Sequence, residues 1–132
     1  MPSPIVYGKK AFISFELAGN DQMSTYFTGG PERAYGEFYQ EMKQWGGYQL
    51  VMDPKDAEVV FAVRYVARPA PAIHLDILDP AGRISLWGID EEIEVTSNKK
   101  KCDENFTAAI ELVVNDLKLL KQSSGTQGSG KP

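Results

Sequence analysis

The sequence predicts an α+β domain in which two helices pack on one face of a four- to five-stranded, mainly antiparallel sheet, in the order β-α-β-β-β-β-α. Three observations carry this reading. Apolar residues recur at helical spacing in two stretches, 31–45 and 99–122. Several short runs alternate apolar and polar residues as half-buried strands do. The run Asp56 to Val95 reads as three consecutive antiparallel strands joined by proline- and glycine-containing turns, and it forms the floor of the fold.

At 132 residues the chain makes one domain, large enough to fold on a single core. Residues 1–9 are expected as an extended leader, 10–121 as the domain, and 122–132, rich in Gly and Ser, as a disordered tail. Lys10 to Leu17 alternates, with Ala11, Ile13, Phe15 and Leu17 on one face, and is the first strand. Residues 18–30 are rich in Gly, Asn, Asp, Ser and Thr and form a loop. Pro31 opens a helix whose Tyr35, Phe38, Met42 and Trp45 share one face, while Arg33 and Glu37 fall largely away from it. Gly36 weakens that helix, so close packing against the sheet is its expected reason. Gly46-Gly47 supplies a left-handed stop.

Tyr48 to Met52 is a short strand. Asp56 to Val66 is apolar on both faces apart from Arg64, the pattern of a central strand. Pro69 and Pro71 separate it from His74 to Asp79, and Asp79-Pro80-Ala81-Gly82 turns the chain into Arg83 to Val95. Asp90 to Glu94 is acidic and is expected to run out to solvent. The second helix carries Phe106, Ala109, Ile110, Val113, Leu117 and Leu120 on one face.

Chemistry is sparse. His74 is the one histidine, beside Asp76 with no nucleophile motif near it, and reads as a satisfied or solvated strand residue. Cys102 is the one cysteine, so no internal disulfide or thiolate metal site is possible, and it reads as a small side chain at the start of a helix. The carboxylates Asp76, Asp79, Asp90, Glu91, Glu92 and Glu94 lack the spacing of a calcium loop. No catalytic residue, metal or cofactor is expected, and the chain is not expected to be an enzyme. The net charge of −4 opposes sequence-independent nucleic-acid binding, and Lys99-Lys100-Lys101 reads as a solvated helix face. No apolar run approaches the length of a membrane span.

Two helices cover only one face of such a sheet. Val60, Val66, Leu78, Trp87 and Ile89 are expected on the other, with Val60, Leu78, Trp87 and Ile89 as the binding residues of an interaction surface, unless the leader or the 18–30 loop covers it. The expected function is protein binding or scaffolding, toward a partner or a second copy. The alternative is a small-ligand or metal-binding protein using the 18–30 loop and the His74/Asp76 region.

Trp45-Gly46 followed by Tyr48-Gln49-Leu50-Val51, then Asp56-Ala57-Glu58-Val59-Val60, then Leu75-Asp76-Ile77-Leu78-Asp79 with Gly82 and Leu86-Trp87, follow the order strand, helix, strand, strand trio, helix. This pattern resembles the amino-terminal domain of TolB and the related CsgG-like and small-lipoprotein modules of the bacterial cell envelope. Glu58 stands where those families have Asp, and no lipidated cysteine precedes the domain. The resemblance implies a non-enzymatic envelope module acting through protein contacts. It would be periplasmic or envelope-associated if a signal peptide has been removed, and cytoplasmic otherwise.

Overall fold

A computed structural model describes residues 1–15, 26–81 and 83–130, the last seven of these by backbone alone. Along the chain the elements are α1 (Ser3–Tyr7), β1 (Lys10–Ser14), α2 (Glu32–Trp45), β2 (Gln49–Leu50), β3 (Val59–Val66), β4 (Ala72–Leu78), β5 (Ser85–Glu92) and α3 (Lys99–Gly130). The five strands form one sheet in the order β2-β1-β3-β4-β5. The short ladders of β1 with β2 and with β3 are parallel; the longer ones of β3 with β4 and β4 with β5 are antiparallel. The α+β class and the order of strands and long helices agree with the sequence reading. So does the central place of β3, which lies between β1 and β4 and carries apolar residues on both faces apart from Arg64.

One face of the sheet carries the core. Ala11, Ile13, Val59, Phe61, Val63, Tyr65, Ile73, Leu75, Ile77 and Ile89 join Phe38 and Met42 of α2 and Phe106, Ile110, Val113 and Leu117 of α3 in a single buried cluster. Each of these larger side chains contributes about 1.5–3 kcal/mol by leaving water. The edge-to-face contact of Phe38 with Phe61 and the stacking of Phe106 on Tyr65 fix how the helix layer seats on the strands.

Several expectations change. The leader is not extended: Ser3–Tyr7 is a helical turn with Pro4 in its first two positions, where a missing N–H costs nothing. Ile5 and Val6 are buried, and the Tyr48 hydroxyl donates to the Ile5 carbonyl. The Lys121 ammonium donates to the carbonyls of Val6 and Gly8 at 3.2 and 2.9 Å, tying α1 beneath α3. The leader therefore packs on the helix side. β1 ends at Ser14, leaving Phe15 exposed against Tyr35, and Leu17 lies outside the described residues. α2 ends on Gly46 at φ 72°, as the sequence implies. Gly36, by contrast, is exposed, and a Cβ built there meets nothing within 4 Å, so close packing is not its reason. α3 continues to Gly130, past the expected end at Gln122, while residues 131–132 of the expected tail lie outside the described residues.

Candidate functional site

The face opposite the helices is built by strand register. Its rows, read across the sheet, are Phe12–Val60–Leu78, then Ser14–Ala62–Asp76–Gly88, then Arg64–His74–Asp90, then Val66–Ala72–Glu92. Among the described residues no α-helix lies on it; the short 3-10 turn Pro54–Asp56 reaches only its Phe12–Val60–Leu78 end. The described part of the 18–30 loop goes to the other side: Phe27 packs on Tyr65 and Phe106, and Thr28 bonds Asp103 of α3.

Register also corrects the expected binding set. Val60 and Leu78 pair with each other on the open face, but Trp87 pairs with Ile77 and Ile89 with Leu75, which places both on the helix side. Ile89 is core, 7% exposed; Trp87 is 42% exposed on the outer strand. The cause is a one-residue irregularity at the hairpin: Leu78 pairs with Ser85 while Ile77 pairs with Trp87, so Leu86 is the extra residue. A shift of one residue moves every following side chain to the other face. The same parity brings Glu91 and Ile93 toward the helices rather than to solvent, and Ile93 is buried.

What remains on the open face is polar at its centre and apolar at one end. At that end Phe12, Val60 and Leu78 meet Pro54, Pro80 and Ala81 around a recess of about 170 Å³, and Val60 is only 4% exposed. At the centre one carboxylate serves two side chains: Asp76 Oδ2 accepts from Arg64 Nη1 at 3.2 Å, and Asp76 Oδ1 lies 2.8 Å from His74 Nε2. The other ring nitrogen, Nδ1, lies 2.5 Å from Asp90 Oδ1. An imidazolium has two N–H donors and satisfies both carboxylates; a neutral ring can donate to one. The cluster spans three strands and is satisfied within itself, which agrees with His74 as a satisfied strand histidine. It presents no free nucleophile. The His74/Asp76 region and the described part of the 18–30 loop lie on opposite sides of the sheet and do not form one site; residues 18–25 lie outside the described residues. Among the described residues no group of three or more His, Cys, Asp or Glu could hold a metal ion, and no helix is long and apolar enough to cross a membrane.

A larger recess, about 770 Å³, lies between α2 and α3 and is lined by Arg33, Lys99, Lys100, Asp103, Glu104 and Thr107 among others. Its guanidinium is already committed. Arg33 bonds Glu37, the Thr28 carbonyl and Asp103, and lies 4.1 Å over the Phe106 ring. Thr28, by its hydroxyl and backbone N–H, holds the Asp103 carboxyl down at about 2, with Arg33 adding to the effect. The recess is the surface of a helix-to-helix clamp. The sequence placed Arg33 outward, and only its i,i+4 spacing from Glu37 hinted at a partner.

Cys102, buried at the first turn of α3, accepts from the Thr96 N–H at 3.3 Å, a structural role in keeping with its sequence reading. Lys99, Lys100 and Lys101 are all exposed. Comparison with family models, with characterised proteins and with solved structures finds no match to this chain.

Proposed function

We propose that this chain is a non-enzymatic protein-binding or scaffolding domain that meets a partner, or a second copy of itself, through the side of its sheet away from the helices. The observation that carries the reading is the one-sided packing: α1, α2, α3 and Phe27 all cover the same face, while the face bearing Phe12, Leu78, Arg64, His74 and Asp76 has no described α-helix across it, only the 54–56 and 79–81 turns at one end. Here Arg64, Asp76, His74 and Asp90 are held in fixed positions by one another, so a partner meets a polar surface already organised, with less side-chain entropy to lose. Placement in the bacterial envelope rests on the resemblance to TolB-like and CsgG-like modules and belongs to this proposal.

Site-specific photocrosslinking in cells tests it. A photoreactive side chain at Ala62, in the middle of the open face, is expected to capture a defined protein or a second copy. The same group at the exposed Lys43 of α2 serves as control. Equal crosslinking from both positions, or none from Ala62, sinks the reading.

A further inference from the structure

The two edges of the sheet differ. On one side the last strand is β2, two residues long, and short edge strands give another chain little to pair with. On the other the last strand is β5, eight residues from Ser85 to Glu92, paired among the described residues only with β4.

Which of its backbone groups are free follows from geometry. The Ile93 N–H bonds the Pro71 carbonyl, so the pair 71/93 is a hydrogen-bonded one. Antiparallel pairs alternate, which makes Ile73/Glu91, Leu75/Ile89 and Ile77/Trp87 bonded pairs as well. Gly88, Asp90 and Glu92 therefore aim their N–H and C=O groups away from β4, along an open edge. Neither Pro nor Lys occurs in β5; its irregularity at Leu86 lies before Gly88, and its charges are all acidic, so the edge is guarded against like chains but not against a basic one.

The charge along this edge has one sign. Asp90 and Glu92 stand on the open face, Glu91 on the helix face, and Glu94 follows. Asp116 of α3 shares a hydrogen bond with Glu91, which, with burial, raises Glu91 to about 7. Among the described residues no lysine or arginine forms an ion pair with any of these five; His74 reaches Asp90, and Arg64, two strands inward, is bound to Asp76. Arg68 lines the same shallow recess as Asp90 and Glu92 but from the β3 side. Pairing two copies edge to edge would bring both sets of five acids to one seam, so charge disfavours self-association there.

We infer that the outer edge of β5 is a strand-addition site for an extended segment of another protein that carries Lys or Arg at alternate positions. In that pairing the segment's backbone meets Gly88, Asp90 and Glu92, and its basic side chains lie on the open face beside Asp90 and Glu92. Intervening residues of the segment lie beside Trp87 and Ile89, where apolar side chains fit; Gly88 leaves the open face clear at that point, since a Cβ there would meet nothing closer than 3.8 Å. The inference rests on the protein-binding reading and names the edge and the partner's chemistry.

The test is titration of the isotopically labelled full chain with the heptapeptide Val-Lys-Val-Lys-Val-Lys-Val, followed by amide resonances and hydrogen exchange. The amides of Gly88, Asp90 and Glu92 should shift and gain protection, and the same peptide with Glu for Lys should bind at least tenfold more weakly. Glu92→Lys, a change at an exposed side chain, should weaken the Lys peptide tenfold, and Asp90→Lys with Glu92→Lys should reverse the preference. Perturbations centred away from β5, equal binding of the two peptides, or concentration-dependent protection of the β5 amides without peptide would each overturn the inference, the last in favour of a second copy. Crosslinking from Ala62 that persists when the peptide fails would leave the open-face reading standing and remove this one alone.

Discussion

Arg33 and Asp103 join the two long helices across seventy residues of sequence: Arg33 Nη1 lies 2.9 Å from Asp103 Oδ1, and Nη2 donates to the Asp103 backbone carbonyl at 3.0 Å. The same guanidinium holds Glu37 at 2.7 Å and the Thr28 carbonyl at 2.8 Å, with only 15% of the side chain exposed. One planar fork therefore ties α2, α3 and the segment before α2. A lysine cannot reproduce that geometry, because its ammonium is a single point of charge. Arg33→Met should cost about 2 kcal/mol in denaturant unfolding, leaving Asp103 without its cation. Arg33→Lys should recover less than half of this. An Arg33→Lys protein as stable as the parent would show that the fork does not matter.

The partner carboxylate makes the clamp sensitive to acid. Thr28 donates to Asp103 from its hydroxyl at 2.6 Å and its N–H at 2.7 Å; Arg33 adds its charge, and the carboxyl titrates near 2 instead of 3.8. A carboxylate depressed on folding contributes stability that is complete above its unfolded value and is lost as pH falls through the folded one. The loss belongs to the window from about pH 4 down to about 2. Asp103→Asn should flatten the stability profile in that window while lowering stability at neutral pH. An unchanged acid limb in the variant would assign the effect to other carboxylates, of which Glu58, held by the Lys9 and Lys10 N–H groups, is the first to examine.

Gly36 within α2 and Gly46 at its C-terminal cap should respond oppositely to the same substitution. Gly36 is in the helix interior with open space where a Cβ would sit, so Gly36→Ala should stabilise by about 1 kcal/mol. Gly46 has φ 72°, a conformation that L side chains rarely adopt, and Gly46→Ala should cost about 1 kcal/mol although no atom obstructs it. Thermal unfolding of the two variants decides. A Gly36→Ala protein less stable than the parent would mean that this position serves a purpose beyond the isolated domain's stability.

These residues also show what the sequence makes legible. Gly46 announces itself locally, because a Gly pair after a helical stripe has one common physical use. The central strand is equally plain, since Val59 to Val66 is apolar on both faces apart from Arg64. Arg33 is not, because its position on the helix wheel is that of a solvated residue and its partner lies far along the chain. Trp87 and Ile89 lie on the face opposite to the one their alternation suggests, for a different reason. Alternation within β5 is correct, but its phase relative to β4 depends on the extra residue Leu86, which no periodicity reveals. The charged centre of the open face was half legible: Arg64, His74 and Asp76 each stood out singly, while their meeting required the register of three strands.

Glu91 follows from that same phase. Paired with Ile73, it turns toward α3 and meets Asp116, and the shared hydrogen bond and burial raise it from 4.5 to about 7. A group whose folded value lies above its unfolded one contributes stability that is present below the unfolded value and lost as pH rises through the folded one. Between about pH 4.5 and 7 the folded protein should therefore lose stability from this pair, opposite in direction to Asp103. Asp116→Asn should return Glu91 toward the ordinary carboxylate range and remove the decline. Carbon-13 titration of the Glu91 side chain reads this directly, and a midpoint near 4.5 in the unsubstituted protein would dismiss the shared proton. The pair borders the free edge of β5, so a bound basic strand should itself lower the Glu91 midpoint by favouring the ionised form. A midpoint unmoved by a peptide that protects the Gly88 and Asp90 amides would place the peptide's charges on the open face alone.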